Sequence, residues 1–230
     1  MTEKKLGPYK RALKDAEEKA NATRVEKDGL VTYQYPDYDT YREVQVAGNK
    51  AKLRMQFVPE SHIQALSEYV SGVFDKIDFA LCHGTRRGNE QAWFKAHLSG
   101  NPTVIGTEIS DTADQFPDTV QFDFHDDNPE WHGRANFVYS NSWDHALYPE
   151  KAFGNWAKSL KPGGVLLLDY TKGQMPAAAN ALDPFGATLG ALEDLLEGTL
   201  KDAGSLRETL DWRRTNKEYR SRVVVWQKRI

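Results

Sequence analysis

Between two apolar stretches the chain reads Phe79-Ala80-Leu81-Cys82-His83-Gly84-Thr85-Arg86-Arg87-Gly88-Asn89-Glu90. Gly84 and Gly88 can supply tight backbone geometry and let a ligand approach the main chain closely. Amide groups left free at the start of a following helix favour an anionic or electron-rich group. Glu108 closes the next apolar run. In a doubly wound fold this is where a carboxylate accepts hydrogen bonds from ribose hydroxyls, and there it would repel a 2′-phosphate. Glycines and acid together point to an adenosine-containing cofactor.

Other residue types could carry a reaction. His145 has an ordinary pKa of about 6.5, suited to general-base work near neutrality. Asp144 is the candidate to orient it, although neighbours in sequence need not face each other; a histidine beside Trp143 is equally readable as structural. His125 is a second candidate base. The run His125-Asp126-Asp127 offers hard oxygen ligands to a divalent cation, but consecutive positions rarely converge on one ion, so a solvated loop is the simpler reading and no metal is expected. Arg86 or Arg87 can form a bidentate pair with a ligand carboxylate, or else face solvent or Glu90. Tyr33, Tyr35, Tyr38 and Tyr41 form either an amphipathic cover or an aromatic-lined lid.

These residues need positioning. The first 28 residues are charged and read as a solvated helix or frayed arm. Leu30 to Val46 reads as a short strand or extended segment broken at Pro36-Asp37. Ile63, Leu66, Val70 and Val73, behind Pro59 and Ser61, mark an amphipathic helix over 59–74. From Ile77 onward short apolar runs alternate with helical stretches. Strands are expected at 77–82, 103–107, 120–123, 135–139 and 165–170, with helices at 89–98, 149–160 and about 189–203. Runs this apolar suggest parallel strands covered on both faces. Residues 206–212 and 222–227 alternate and read as an antiparallel pair at the sheet edge. The expectation is an α/β fold: a doubly wound, Rossmann-like, seven-stranded sheet, mostly parallel with an antiparallel C-terminal edge hairpin, plus an N-terminal extension. The division expected is a charged arm and aromatic-rich cover over 1–58 and a cofactor-binding domain over 59–230.

Composition narrows the class. The chain has 230 residues, 40% of them apolar, with net charge −3. That size supports a sizeable core. No apolar run approaches the ~20 residues needed to span a bilayer, and the start lacks the apolar core of a secretory signal. Cys82 is the only cysteine, so no internal disulfide can form. A cytoplasmic setting is expected, with a small-molecule partner, no nucleic acid and no membrane; a homo-oligomer is compatible with the sequence.

In this frame the chain resembles the class I S-adenosylmethionine-dependent methyltransferases over about residues 75 to 230. That family's first strand ends in an acid followed by glycines at alternate positions. Here Cys82-His83-Gly84-Thr85-Arg86-Arg87-Gly88 fills the frame, with Cys82 in place of the acid and Arg86 in place of the middle glycine. Phe137 to His145 followed by Leu160-Lys161-Pro162-Gly163-Gly164-Val165 is similar to the family's fourth strand and its entry to strand five. The final pair, LRETLDW and SRVVVWQ, is similar to its sixth and seventh strands. The resemblance implies S-adenosyl-L-methionine as cofactor, held by His83, Gly84, Thr85, Arg86 and Gly88. It places Glu108 on the ribose, Ile109 on adenine, Asp123 and Phe124 at the adenine amino group and face, and Ser140 and Asn141 beside the reactive methyl. With Cys82 in place of the acid, His83 or a backbone carbonyl is expected to take over contact with the methionine amino group. Gly163-Gly164 is expected to be a turn without ligand contact, and Asp123 is also readable as a turn cap. The family's nitrogen-directed members usually carry Asn or Asp, Pro-Pro and an aromatic after the fourth strand, where this chain has Ser140-Asn141-Ser142-Trp143. A small-molecule oxygen acceptor, a sugar, glycoside or phenol, is therefore expected, contacted by the tyrosine cluster and residues 171–187. The alternatives are a non-catalytic cofactor-binding or interaction subunit and a nicotinamide-dependent oxidoreductase.

Overall fold

The computed structural model describes residues 7–230; the first six residues of the charged arm lie outside the described residues. Helix α1 (Pro8–Ala20) buries Ala12, Ala16 and Ala20, a stripe four residues apart hidden among charges. Strands β1 (Thr23–Lys27) and β2 (Leu30–Gln34) pair antiparallel about Asp28-Gly29. Both turn residues have positive φ, 50° and 80°, which a two-residue hairpin of type I′ requires. The short strand expected from Leu30 ends before Pro36, and the chain beyond it is helical. Asp37 accepts the Thr40 amide at 2.7 Å and caps helix α2 (Tyr38–Lys52).

Helix α3 (Glu60–Val73) then leads to β3 (Phe79–His83), α4 (Asn89–His97), β4 (Thr103–Glu108), β5 (Thr119–Gln121), β6 (Ala135–Ser140) and α5 (Pro149–Ser159). Strand β7 (Leu160–Tyr170) begins earlier than expected and runs through Gly163-Gly164. A Cβ on Gly164 would lie 2.9 Å from Ala135 O, so the glycine permits close backbone approach where the β6–β7 register shifts. A short β8 (Phe185–Ala187), α6 (Leu189–Leu200), β9 (Gly204–Asp211) and β10 (Arg222–Lys228) complete the chain.

The main sheet has seven strands in the order β5-β4-β3-β6-β7-β10-β9. Numbered within this sheet alone, that is 3-2-1-4-5-7-6. Strands β3 to β7 are parallel, and β10 runs antiparallel to both β7 and β9. Successive side chains of a strand face opposite ways, so the sheet builds two cores. Phe79, Leu81, Val138, Leu166, Leu168 and Trp226 pack with Phe153, Trp156, Leu192 and Leu196 of α5 and α6. On the other face Ala80, Cys82, Phe137, Tyr139, Val165 and Val223 pack with Ile63, Leu66, Val70 and Phe94 of α3 and α4.

The N-terminal segment is tied to this domain. Strand β2 pairs with β8 to extend a separate three-stranded sheet, and α1 packs its alanine stripe on Val44, Ala181 and Leu182. Among the described residues no helix is long and apolar enough to cross a membrane.

Candidate cofactor cleft

Strand β3 pairs with β4 on one side and β6 on the other, so the chain reverses its winding direction there. Open α/β sheets bind ligands outside the carboxyl ends of strands at such a point. The Gly84 and Thr85 amides donate to Thr107 O at 2.9 and 3.1 Å, folding the turn back over β4. Gly84 has φ 76°, and a Cβ there would lie 2.7 Å from the Ser142 Cβ. Ser142 Oγ donates to Gly84 O at 3.1 Å, while Ser140 Oγ donates to His83 O at 3.0 Å and accepts from the Ser142 amide. Ser140 is thus a buried splint between β3 and the loop after β6. Gly88, φ 72°, sits against Gln91 and Thr119 at the start of α4 and serves packing.

Glu108 ends β4 facing the cleft. Its Oε2 accepts the Arg86 amide and its Oε1 the Ser110 amide, both at 3.1 Å. Burial raises its pKa, against the pull of the Ser110 amide and the Arg86 charge. Asp123 follows β5. Its Oδ1 accepts from His125 Nδ1 at 2.8 Å and its Oδ2 from Tyr38 Oη at 2.6 Å. Burial alone would raise its pKa, but the hydrogen bonds from His125 and Tyr38 outweigh it and hold the carboxyl below its usual value.

The cleft between these groups is lined by Gly84, Arg86, Glu108, Ile109, Asp123, Phe124, Ser142 and His145, with Tyr41, Gln45, Asn49 and Lys52 of α2 opposite. Its space is about 500 Å³, open mouth included. The four α2 residues fall on one helical face. Asn49 Oδ1 accepts from Thr112 Oγ1 at 2.9 Å, Tyr41 Oη donates to His145 O at 2.8 Å, and Tyr35 Oη donates to Ala181 O. The tyrosines therefore anchor the cover through their hydroxyls, with Tyr41 also on the cleft wall. The buried Lys52 ammonium pairs with Asp183 Oδ1, 3.7 Å away, and burial lowers its pKa against the pull of that carboxylate. A smaller adjoining cavity shares Gly84, Arg86 and Ser142 and adds Gln56, Phe57, Thr85, Glu90 and Asn141.

The histidines divide. His145 reaches the cleft wall, clamped between Gln45 Oε1 (2.8 Å from Nδ1) and Asp183 Oδ1 (3.3 Å from Nε2). Its carboxylate partner is Asp183 rather than Asp144. Asp144 is buried, its Oδ1 without a hydrogen-bond partner among the described residues, and burial pushes its pKa up. Burial, with the Lys52 and Arg86 charges, pushes the His145 pKa down to about 4 against the opposing charge of Asp183. His125 is committed on both sides: Nε2 accepts the Leu147 amide at 3.0 Å, so Nδ1 carries the hydrogen it gives to Asp123. The buried His83 side chain lies on the Leu81 face of β3 and lines neither cavity. It stacks on Trp156, bonds Thr107 Oγ1 at 2.8 Å, and is pushed down to about 3 by burial. Asp126 pairs with Lys151, and Asp127 with His132 and Lys158. No group of metal-binding side chains occurs among the described residues.

Of the residues expected at the cofactor, Gly84, Arg86, Glu108, Ile109, Asp123 and Phe124 converge on the main cleft, and Thr85 and Asn141 on the adjoining cavity. His83, Gly88 and Ser140 support it from behind. Tyr41 and Asp183 fall in the two segments expected at the acceptor; Gln45, Asn49 and Lys52 of α2, and Glu90, were not anticipated in a ligand-facing role.

No family model matches the chain, and no curated protein matches it. Solved structures do. A 1,6-didemethyltoxoflavin-N1-methyltransferase from Burkholderia thailandensis, with bound 1,6-didemethyltoxoflavin and S-adenosylhomocysteine, superposes with TM-score 0.62 at 14% identity, covering 91% of this chain and 99% of that one. The N-methyltransferase NodS from Bradyrhizobium japonicum, in complex with S-adenosyl-L-homocysteine, gives 0.56 at 11% identity over 80% and 98%. A TehB-like SAM-dependent methyltransferase from Corynebacterium glutamicum gives 0.52 at 15% identity over 71% and 86%. The chain has the class I methyltransferase fold.

Proposed function

We propose that the protein is an S-adenosylmethionine-dependent methyltransferase acting on an oxygen of a small molecule, such as a sugar, glycoside or phenol. A fold by itself does not fix an activity, so the reading rests on the site. The observation that carries it is Glu108: its carboxylate is held by two backbone amides at the end of β4, across from the Gly84 turn, with Ile109, Asp123 and Phe124 around the same cleft. A carboxylate with lone pairs to spare in that place suits the two hydroxyls of a ribose. Thr85 Oγ1, Arg86 Nε and Glu90 Oε2, buried and without partners among the described residues, suit a polar, charged tail beyond it.

S-adenosylmethionine, when bound, supplies a sulfonium methyl group that an acceptor can displace in line. The chain's part is placement and proton removal. Glu108 and Ile109 would hold the nucleoside, while Thr85, Arg86 and Asn141 would surround the opposite end. The α2 face, with Tyr41, Gln45 and Lys52, would exclude water and present the acceptor. His145 would take the acceptor proton on Nε2, with Asp183 beside it. Its lowered pKa keeps the ring neutral at pH 7, although weakly basic. In this proposal residues 59–230 form the catalytic domain and 1–58 its cover.

Release of S-adenosylhomocysteine, measured against pairs of phenols or sugars and their O-methylated counterparts, tests the assignment. Turnover with free hydroxyls alone supports it; turnover only with amines would move the acceptor atom to nitrogen. The weak basicity of His145, whose Nδ1 is committed to Gln45, is the observation that favours a binding subunit without turnover. That alternative predicts tight cofactor binding and no release with any acceptor.

A further inference from the structure

Eight buried side-chain polar atoms lack a partner among the described residues, and three of them, Thr85 Oγ1, Arg86 Nε and Glu90 Oε2, line the small cavity beside the main cleft. Unpaired buried polar groups are costly and uncommon, so their concentration in one cavity calls for a ligand. The cavity has about 230 Å³ of space, mouth included. Glu90, in the first turn of α4, is 5% exposed, and its other oxygen accepts from Gln56 Nε2 at 3.0 Å. That amide's orientation is fixed, because Gln56 Nε2 also donates to Val58 O and Gln56 Oε1 accepts from Asn89 Nδ2 at 2.8 Å. An acid at a helix start interacts favourably with the helix dipole, but an exposed one would do so without the cost of burial.

Arg86 is mostly buried. Its backbone is left-handed, φ 43°, its Nη1 donates to Met55 O at 3.1 Å, and the guanidinium lies over the Phe57 ring at 5.0 Å. One anion and one cation thus face the same cavity within each other's field. Cys82 explains why the anion sits on the helix. Its buried thiol points to the α4 side of the sheet, inside the field of Glu90. A carboxylate at position 82 would meet another carboxylate there.

We infer that this cavity is a receptor for the two charged groups of an α-amino acid, with Glu90 holding the ammonium and Arg86 the carboxylate. The inference rests on the cofactor reading above, the amino acid being the methionine end of S-adenosylmethionine. Glu90 then does from the helix what an acid at the end of β3 would do, and the small neutral Cys82 makes room for it. Burial raises the Glu90 pKa to about 7, so the acid ionises for its ligand within the neutral range.

The test is calorimetric titration of the full chain and of Glu90→Gln with S-adenosylhomocysteine and with 5′-methylthioadenosine, which shares the nucleoside and lacks the amino acid. Glu90→Gln should weaken S-adenosylhomocysteine binding roughly ten- to a hundredfold, the value of a charged hydrogen bond, and leave methylthioadenosine binding unchanged. In the wild type alone, affinity for S-adenosylhomocysteine should fall as pH drops below 7. Unchanged S-adenosylhomocysteine affinity in the variant overturns the inference, as does an equal loss for both ligands. Wild-type protein that binds methylthioadenosine as tightly as S-adenosylhomocysteine also overturns it while leaving the nucleoside site standing. Binding of neither removes the cofactor reading and the inference together.

Discussion

Replacing Glu90 with Gln should make the unliganded protein more stable at pH 8 while making it a poorer binder. The side chain keeps its shape, and Gln56 keeps a carbonyl oxygen to bond. What changes is the charge. The folded-state pKa, about 7, lies above the unfolded value of 4.5, so the native protein holds this proton more tightly than the unfolded chain. Below pH 4.5 the acid is neutral in both states and costs nothing. Between pH 4.5 and 7 the unfolded chain ionises first, and stability falls as pH rises. Above pH 7 the full penalty is present, about 3 kcal/mol at one pKa unit per ~1.4 kcal/mol. For a domain of this size that is a melting shift of roughly 6–12 °C. Urea denaturation of both proteins at pH 4, 6 and 8 reads the difference, which isolates Glu90 from every other titrating group. The two should be equal at pH 4 and diverge upward, with the variant ahead; saturating S-adenosylhomocysteine should reduce or reverse that order. A variant less stable than wild type at pH 8, or a gap independent of pH, would refute the idea of a buried carboxylate kept for a ligand.

Three other substitutions have defined outcomes. Gly84→Ala forces a side chain into left-handed backbone 2.7 Å from the Ser142 Cβ and should cost about 1–3 kcal/mol in a denaturation experiment, with loss of nucleoside binding. Glu108→Gln should weaken S-adenosylhomocysteine and methylthioadenosine alike, by roughly tenfold or more in calorimetry, since both carry the ribose. Arg86→Ala should weaken S-adenosylhomocysteine binding far more than Arg87→Ala, because Arg87 reaches only Arg54 O at 3.4 Å on the exposed side of the turn; equal, negligible effects would remove Arg86 from the site.

The parallel sheet was legible because its strands are continuous apolar runs and its helices carry marked ends, as at Pro149 and Asn89. The edge pair of β9 and β10 was legible from alternation. The cover was not. Helix α2 turns Gln45, Asn49 and Lys52 inward, so hydropathy sees no stripe, and only the Asp37 cap signalled its start. In α1 the buried face is alanine, which carries little weight among lysines and glutamates. The Asp28-Gly29 turn was a readable hairpin signal, but the strands around it are short and β1 is exposed throughout. At the site, spacing located Gly84, Glu108 and Asp123, because these follow strand ends. Side-chain facing was hidden: His83 packs on Trp156 away from the cleft, and Asp144 yields as the partner of His145 to Asp183, 38 residues beyond the histidine. Glu90 was legible as a helix start, but its burial depends on packing against Gln56, which sequence spacing does not reveal.

The most direct test of the account is parallel calorimetric titration of the full chain with S-adenosylmethionine, S-adenosylhomocysteine and NADH. Micromolar binding of both sulfur nucleotides with none of NADH is the predicted result. A folded sample that binds neither sulfur nucleotide, or that binds NADH in their place, would contradict it.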